Sequence, residues 1–157
     1  MAEFPRATVT SEIAQKRSIG ALAKSLSVLL PGTRLDRVHP DFPQAQLGSG
    51  RFEPSYADNA TIEGPHRFSV GYWVVGARGR PSIEALVDAW RDWGWVVDDE
   101  SDGTLGWVRA TSLDGYRLVA RLNEDENLSL GVSSPSFEFD NDVASTPGMI
   151  VWRGSGC

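Results

Sequence analysis

Apolar positions along residues 10–30 recur at helical spacing. Ile19, Leu22, Ala23, Leu26, Leu29 and Leu30 fall at i, i+3, i+4, i+7, i+10 and i+11, one stripe of a first helix. Thr10 or Ser11 suits its start, and Pro31-Gly32 its end. From Phe68 to Gly76 the period changes to two. Phe68, Val70, Tyr72 and Val74 share one face of the predicted strand, and Ser69, Gly71, Trp73 and Val75 the other. Both faces are partly apolar, which favours a central place in a sheet. Pro81-Ser82 then opens a second helix, with Ser82 as its N-cap and Glu84 in its first turn. Ile83, Leu86, Val87, Trp90 and Gly94 supply the buried stripe, and Gly94 suits the left-handed position that ends it.

Three more strands are predicted at about 104–112, 116–122 and 128–134. Their register follows from segregation of side chains. A two-residue Asp114-Gly115 turn would set Arg109 beside Ala120 and Ala110 opposite Val119, mixing polar and apolar on each face. A three-residue loop with Gly115 in the left-handed bulge position pairs 112 with 116 instead. Val108, Ala110, Leu118, Ala120 and Leu122 then share one face; Trp107, Arg109, Thr111, Arg117, Val119 and Arg121 share the other. The second register separates core from surface and is preferred. The acidic loop Asn123 to Asn127 closes the next hairpin, pairing Leu118 with Val132 and Ala120 with Leu130.

Residues 31–66 carry Pro31, Pro40, Pro43, Pro54 and Pro65 around Gly48-Ser49-Gly50. So long a structureless connection is unusual in a compact domain, so short strands or turns are expected within it. The whole reads as α+β, with two helices packed on one antiparallel sheet in the order α-β-α-β-β-β. At 157 residues it makes a single domain over 1–157, with flexible ends at about 1–8 and 153–157.

That register exposes one patch. Arg109, Arg117 and Arg121 stand near Trp107, with Ser129, Gly131 and Ser133 on the neighbouring strand. Guanidiniums beside small residues suit an anion or an acidic partner. The same residues also fit a solvated face on which Trp107 packs against Arg121. A third possibility is a face covered by Phe137, Phe139, Ile150 and Trp152 from the C-terminal segment. Trp107, Arg109, Arg117 and Arg121 are the candidate binding residues.

Charge narrows the partners. Lys plus Arg is 15 against 21 Asp plus Glu, a net −6, so a generic grip on nucleic-acid phosphates is not expected. Residues 1–40 carry a net +3 through side chains such as Lys16, Arg17 and Lys24, on an otherwise acidic body. That basic helix could meet a membrane surface, but the stretch has no aromatic anchor. Arg outnumbers Lys 13 to 2, which reads as the codon bias of a GC-rich genome. The six tryptophans (73, 90, 93, 95, 107 and 152) read first as core anchors, with one or two available to line a binding surface.

Chemistry is harder to place. The single cysteine, Cys157, excludes an intrachain disulfide and sits in a Gly/Ser-rich tail with no local catalytic setting. His39 and His66 adjoin prolines, and their spacing to Asp41 or Glu63 matches no metal pattern. Asp98, Glu100, Asp102 and Gly103 fill positions 1, 3, 5 and 6 of a calcium loop, but Arg109 stands where its bidentate glutamate belongs. No phosphate-binding loop, dinucleotide fingerprint or nucleophile elbow occurs. No catalytic residue, metal ligand or cofactor is assigned, and the domain is expected not to be an enzyme.

One resemblance spans roughly residues 10–137. A helix and the strand Tyr72-Trp73-Val74-Val75 lead to Ala85-Leu86-Val87-Asp88-Ala89-Trp90 and Gly94-Trp95. Asp114-Gly115-Tyr116-Arg117-Leu118 follows, then Leu128-Ser129-Leu130 running into Val132-Ser133-Ser134-Pro135. This succession resembles the small lipoproteins of actinobacterial cell envelopes, the mycobacterial Lpp-type proteins among them. The resemblance implies an exported α+β domain tethered by an N-terminal lipidated cysteine, and it supplies no functional residue. The sequence departs from it twice: it shows neither signal peptide nor lipobox cysteine, and Ser136 stands where a cysteine is expected. The function expected is thus a non-enzymatic binding domain of a cell-envelope lipoprotein. Its partner would be an unknown protein or an anionic small ligand, with membrane contact only through a lipid anchor absent from this chain. The alternative is a small cytoplasmic immunity-type protein whose acidic face blocks a basic partner, consistent with Met1 as the native start.

Overall fold

A computed structural model describes residues 10–41, 43–44, 47, 50–54, 65–98, 106–123, 125–138 and 149–151. Two helices pack against one antiparallel sheet, an α+β architecture, and the long elements come in the expected order. The expected flexible ends, Cys157, Glu63, Phe139 and Trp152 lie outside the described residues.

The first helix, α1, runs Ser11–Leu26, and Thr10 caps it by accepting a hydrogen bond from the Ile13 N–H at 3.1 Å. The predicted stripe is only partly right. Leu22, Leu26 and Leu29 are buried, but Ala23 lies on the exposed face of the helix, and Leu30 is 70% exposed because the chain leaves the helix after Leu26. The buried face continues through Ser11, Ala14, Gln15, Ser18 and Ser25. The small side chains of Ser11, Ala14, Ser18 and Ser25 let the helix lie against the sheet. Ser18 Oγ donates to the Ala14 carbonyl at 2.7 Å and Ser25 Oγ to that of Ala21 at 2.9 Å, so burial leaves neither of these hydroxyl hydrogens stranded.

After α1 come β1 (Arg34–Asp36) and β2 (Arg51–Pro54), the short strands expected among the prolines. The long strand β3 (Pro65–Arg78) lies inside the sheet as its two-sided pattern predicted. Phe68, Val70, Tyr72 and Val74 are all at most 6% exposed on its core face.

The second helix, α2, spans Arg80–Asp92. Its start differs from expectation. Gly79, at φ 81°, holds the N-cap position and donates its N–H to the Glu126 carbonyl, while Ser82 Oγ donates back to Arg78 O at 3.1 Å. Ser82 is therefore not the cap, and Glu84 falls beyond the first turn. The end agrees. Gly94 adopts φ 79°, and the bonds Gly94 N–H to Arg91 O and Trp95 N–H to Trp90 O close the helix in the paired pattern of a left-handed glycine stop.

β4 (Val96–Asp98), β5 (Trp107–Thr111), β6 (Arg117–Leu122) and β7 (Asn127–Ser133) follow, then β8 (Phe137–Glu138) and β9 (Met149–Val151). The main path of the sheet is β4-β5-β6-β7-β3-β1-β9, with β2 and β8 also paired to β3. The predicted bulged turn is present: Ser112 N–H bonds Tyr116 O, and Gly115 sits at φ 92°. Leu118 pairs with Val132 and Ala120 with Leu130. Val108, Ala110, Leu118 and Ala120 are at most 1% exposed and Leu122 is 8% exposed, all within the core that the helices cover.

Candidate functional site: the open face of the sheet

Both helices contact the same side of the sheet. The other side carries Trp107, Arg109 and Thr111 from β5, Arg117, Val119 and Arg121 from β6, Ser129, Gly131 and Ser133 from β7, and Ser69, Gly71 and Trp73 from β3; none is buried. Antiparallel pairing lines these residues up in rows. Arg109 lies opposite Val119, Val119 opposite Gly131, and Gly131 opposite Gly71. Arg117 faces Ser133 and Ser69 in one adjoining row, and Arg121 faces Ser129 and Trp73 in the other. The row of glycines is therefore a trough, and the rows beside it bear guanidiniums and hydroxyls. The resulting hollow has a volume of about 910 Å³, with Leu47 on its rim.

Gly71 has no backbone reason to be glycine. Its φ is not positive, and a Cβ there would meet only Gly131 Cα, at 4.0 Å. A glycine inside a central strand is unfavourable by roughly 0.5–1 kcal/mol relative to alanine. What it achieves here is space above the middle of the sheet.

The three arginines are not equivalent. Arg109 Nη2 donates to Asp98 Oδ2 at 2.8 Å, and its guanidinium carbon lies 5.6 Å from the centre of the Trp107 ring. The expected stacking of Trp107 against Arg121 is thus replaced by a contact within one strand. Position i+2 lies on the same face as Trp107, and Asp98 on β4 draws Arg109 toward that edge. Arg117 and Arg121 are exposed, and among the described residues neither has a carboxylate within ion-pairing distance. Trp107 also borders a small hollow beside α2, with Arg80, Glu84, Asp88 and Arg91, and stands at the margin of the trough rather than on it.

The tail does not cover this face where it is described. Phe137 is buried in the core against Phe52, with ring centres 5.9 Å apart. Ile150 sits in β9 opposite Leu35 and packs on the core side.

The residues screened for catalysis remain dispersed. His39 and His66 are both buried, but His66 is the second residue of β3 while His39 meets Trp73 edge-on at 6.3 Å. Seven residues of strand at about 3.3 Å each put His66 roughly 23 Å from the Trp73 that His39 touches. His39 Nδ1 accepts the Asp41 N–H at 3.1 Å. Among the described residues no group of three or more His, Cys, Asp or Glu side chains could hold a metal. The rest of the calcium-like run, from position 99 to 103, lies outside the described residues.

Sequence reasoning found the arginines but missed the β3 contribution, Ser69, Gly71 and Trp73, because pairing of β3 with β7 joins segments some 60 residues apart. The available signal was a glycine in the middle of an otherwise apolar strand.

No protein-family model matches the chain, and no curated protein matches it. A solved structure does. The chain shares its fold with the putative lipoprotein LppA from Mycobacterium tuberculosis. The two superpose with a TM-score of 0.55 over 87% of this chain and 84% of that one, at 12% sequence identity. At this identity the likeness is one of fold, and it agrees with the resemblance read from the order of motifs.

Proposed function

We propose that this is a non-enzymatic binding domain of a bacterial cell-envelope lipoprotein, and that the open sheet face holds an anionic ligand or the acidic segment of a partner protein. The carrying observation is the trough itself. Arg117 and Arg121 stand beside a glycine-floored hollow without carboxylate partners among the described residues, in a protein of net charge −6. A guanidinium left unpaired beside small residues is free to take an oxyanion through two parallel N–H bonds. The open face is cationic, which favours an anionic partner over the cationic one that net charge alone suggests. The fold shared with LppA supports the envelope setting, and protease accessibility in intact cells tests it.

The binding test uses pyrophosphate and polyglutamate as probes in isothermal titration. Arg117→Ser with Arg121→Ser should leave the thermal transition unchanged and weaken probe binding by about ten-fold or more, given about 1.5–3 kcal/mol for each hydrogen bond to a charged group. Adding Arg109→Ser should change it less, since Arg109 is already engaged by Asp98. Unchanged affinity in the double variant removes this face from consideration.

A further inference from the structure

A second surface lies on the helix side. Lys16 and Lys24, the only lysines in the chain, are exposed on α1 together with Arg17. Read along the sequence, that helix has no aromatic residue to anchor it at a membrane. The fold supplies two. Lys24 Nζ lies 4.3 Å from the centre of the Trp93 ring and 5.7 Å from that of Trp95, and the two indoles meet edge to face at 5.0 Å. Both tryptophans come from the glycine stop of α2, which turns the chain back beside α1.

One aliphatic side chain extends this cluster outward. Leu113, in the β5–β6 turn, is 81% exposed. A Cβ built on Gly94 would meet Leu113 Cδ2 at 4.0 Å, so the β5–β6 turn and the end of α2 adjoin. A hollow of about 390 Å³ connects Lys16, Arg17, Lys24 and Trp95 to Ser112, Asp114 and Tyr116. These elements also carry carboxylates: Glu12 in the first turn of α1, Glu84, Asp88 and Asp92 on α2, and Asp114, which accepts a hydrogen bond from Ser112 Oγ.

We infer that this edge docks onto an anionic lipid bilayer. Leu113 enters the upper acyl region, the Trp93–Trp95 pair sits at headgroup depth, and Lys16, Arg17 and Lys24 face lipid phosphates. Each part matches a requirement of interfacial binding: an apolar tip without polar cover, indoles with a wet edge, and flanking cations. An acidic protein would satisfy the cations but leave the projecting Leu113 unexplained. The contact is separate from the arginine face, which lies across the sheet from α1.

Co-sedimentation of the whole chain with mixed phosphatidylglycerol–phosphatidylcholine vesicles, against phosphatidylcholine vesicles alone, tests this. Binding should require the anionic lipid and weaken with added salt. Each cation near the surface is worth about 1 kcal/mol, about five-fold, so Lys16→Gln with Lys24→Gln should lower partitioning roughly twenty-five-fold. Leu113→Ser should also lower it, whereas Arg117→Ser with Arg121→Ser should not. All the changed side chains are exposed, so each variant should keep the parent thermal transition. Absent or equal binding to the two vesicle types, parent-like binding by the lysine and Leu113 variants, or an equal loss from the Arg117 and Arg121 changes would each overturn the inference.

Discussion

Two glycines of β3 show how differently the same residue can act. Gly76 has φ 103°, and a Cβ there would press to 3.3 Å from Thr33 Cα. Gly71 has neither constraint, yet it floors the trough opposite Gly131. Gly76→Ala should therefore destabilise the fold by about 1–2 kcal/mol or more, from the left-handed backbone alone. Gly71→Ala should leave stability unchanged or raise it by about 0.5–1 kcal/mol, while weakening binding on the open face. Urea unfolding of the two variants, paired with a polyglutamate titration of the second, checks both halves. Beneath the trough, burial pushes the Tyr72 phenol up to about 12 from an ordinary 10.0, against the opposing pull of Arg37. The folded chain therefore keeps that proton more tightly than the unfolded chain. Its contribution is complete below about pH 10 and is lost as pH rises to about 12. Tyr72→Phe should flatten part of that alkaline loss, measured by urea midpoints between about pH 9 and about pH 12. A remaining slope is expected from Tyr116, whose phenol is raised by burial and, secondarily, lowered by Arg17.

At the level of elements, α1 and α2 are joined by a hydrogen bond that no hydropathy pattern announces. Trp90, fully buried, donates its indole N–H to Ser25 Oγ at 3.0 Å. Ser25→Ala leaves that donor unpaired in the core, and should cost about 1–3 kcal/mol. The double change with Trp90→Phe should cost less than the sum of the two single changes, since no indole N–H then remains to be satisfied; thermal unfolding of the four proteins measures this coupling. The periodicity of α1 misplaced its buried face for the same reason: serines that close onto Ala14 and Ala21 carbonyls behave as core residues while counting as polar. The start of α2 was misread because backbone geometry at Gly79 did the work assigned to Ser82. Elements defined by alternation or by a left-handed glycine were legible, including the register through Gly115 and the stop at Gly94.

For the whole molecule, the side chains of one hairpin predicted which face of the sheet would be open. What they could not predict was the neighbour across β7. β3 joins that face only by long-range pairing, and it brings Gly71, Ser69 and Trp73 to the site. Nor could they show that Asp98 would engage one of the three arginines. The described residues present two distinct surfaces, a cationic trough on the side of the sheet away from the helices and a basic aromatic edge beside α1. Amide chemical-shift mapping during titration with polyglutamate bears most directly on the first. Saturable shifts concentrated at Gly71, Val119, Gly131 and their strand neighbours, and lost when Arg117 and Arg121 become serine, are the predicted result. Shifts confined to the helices, or persisting without those two arginines, would contradict it.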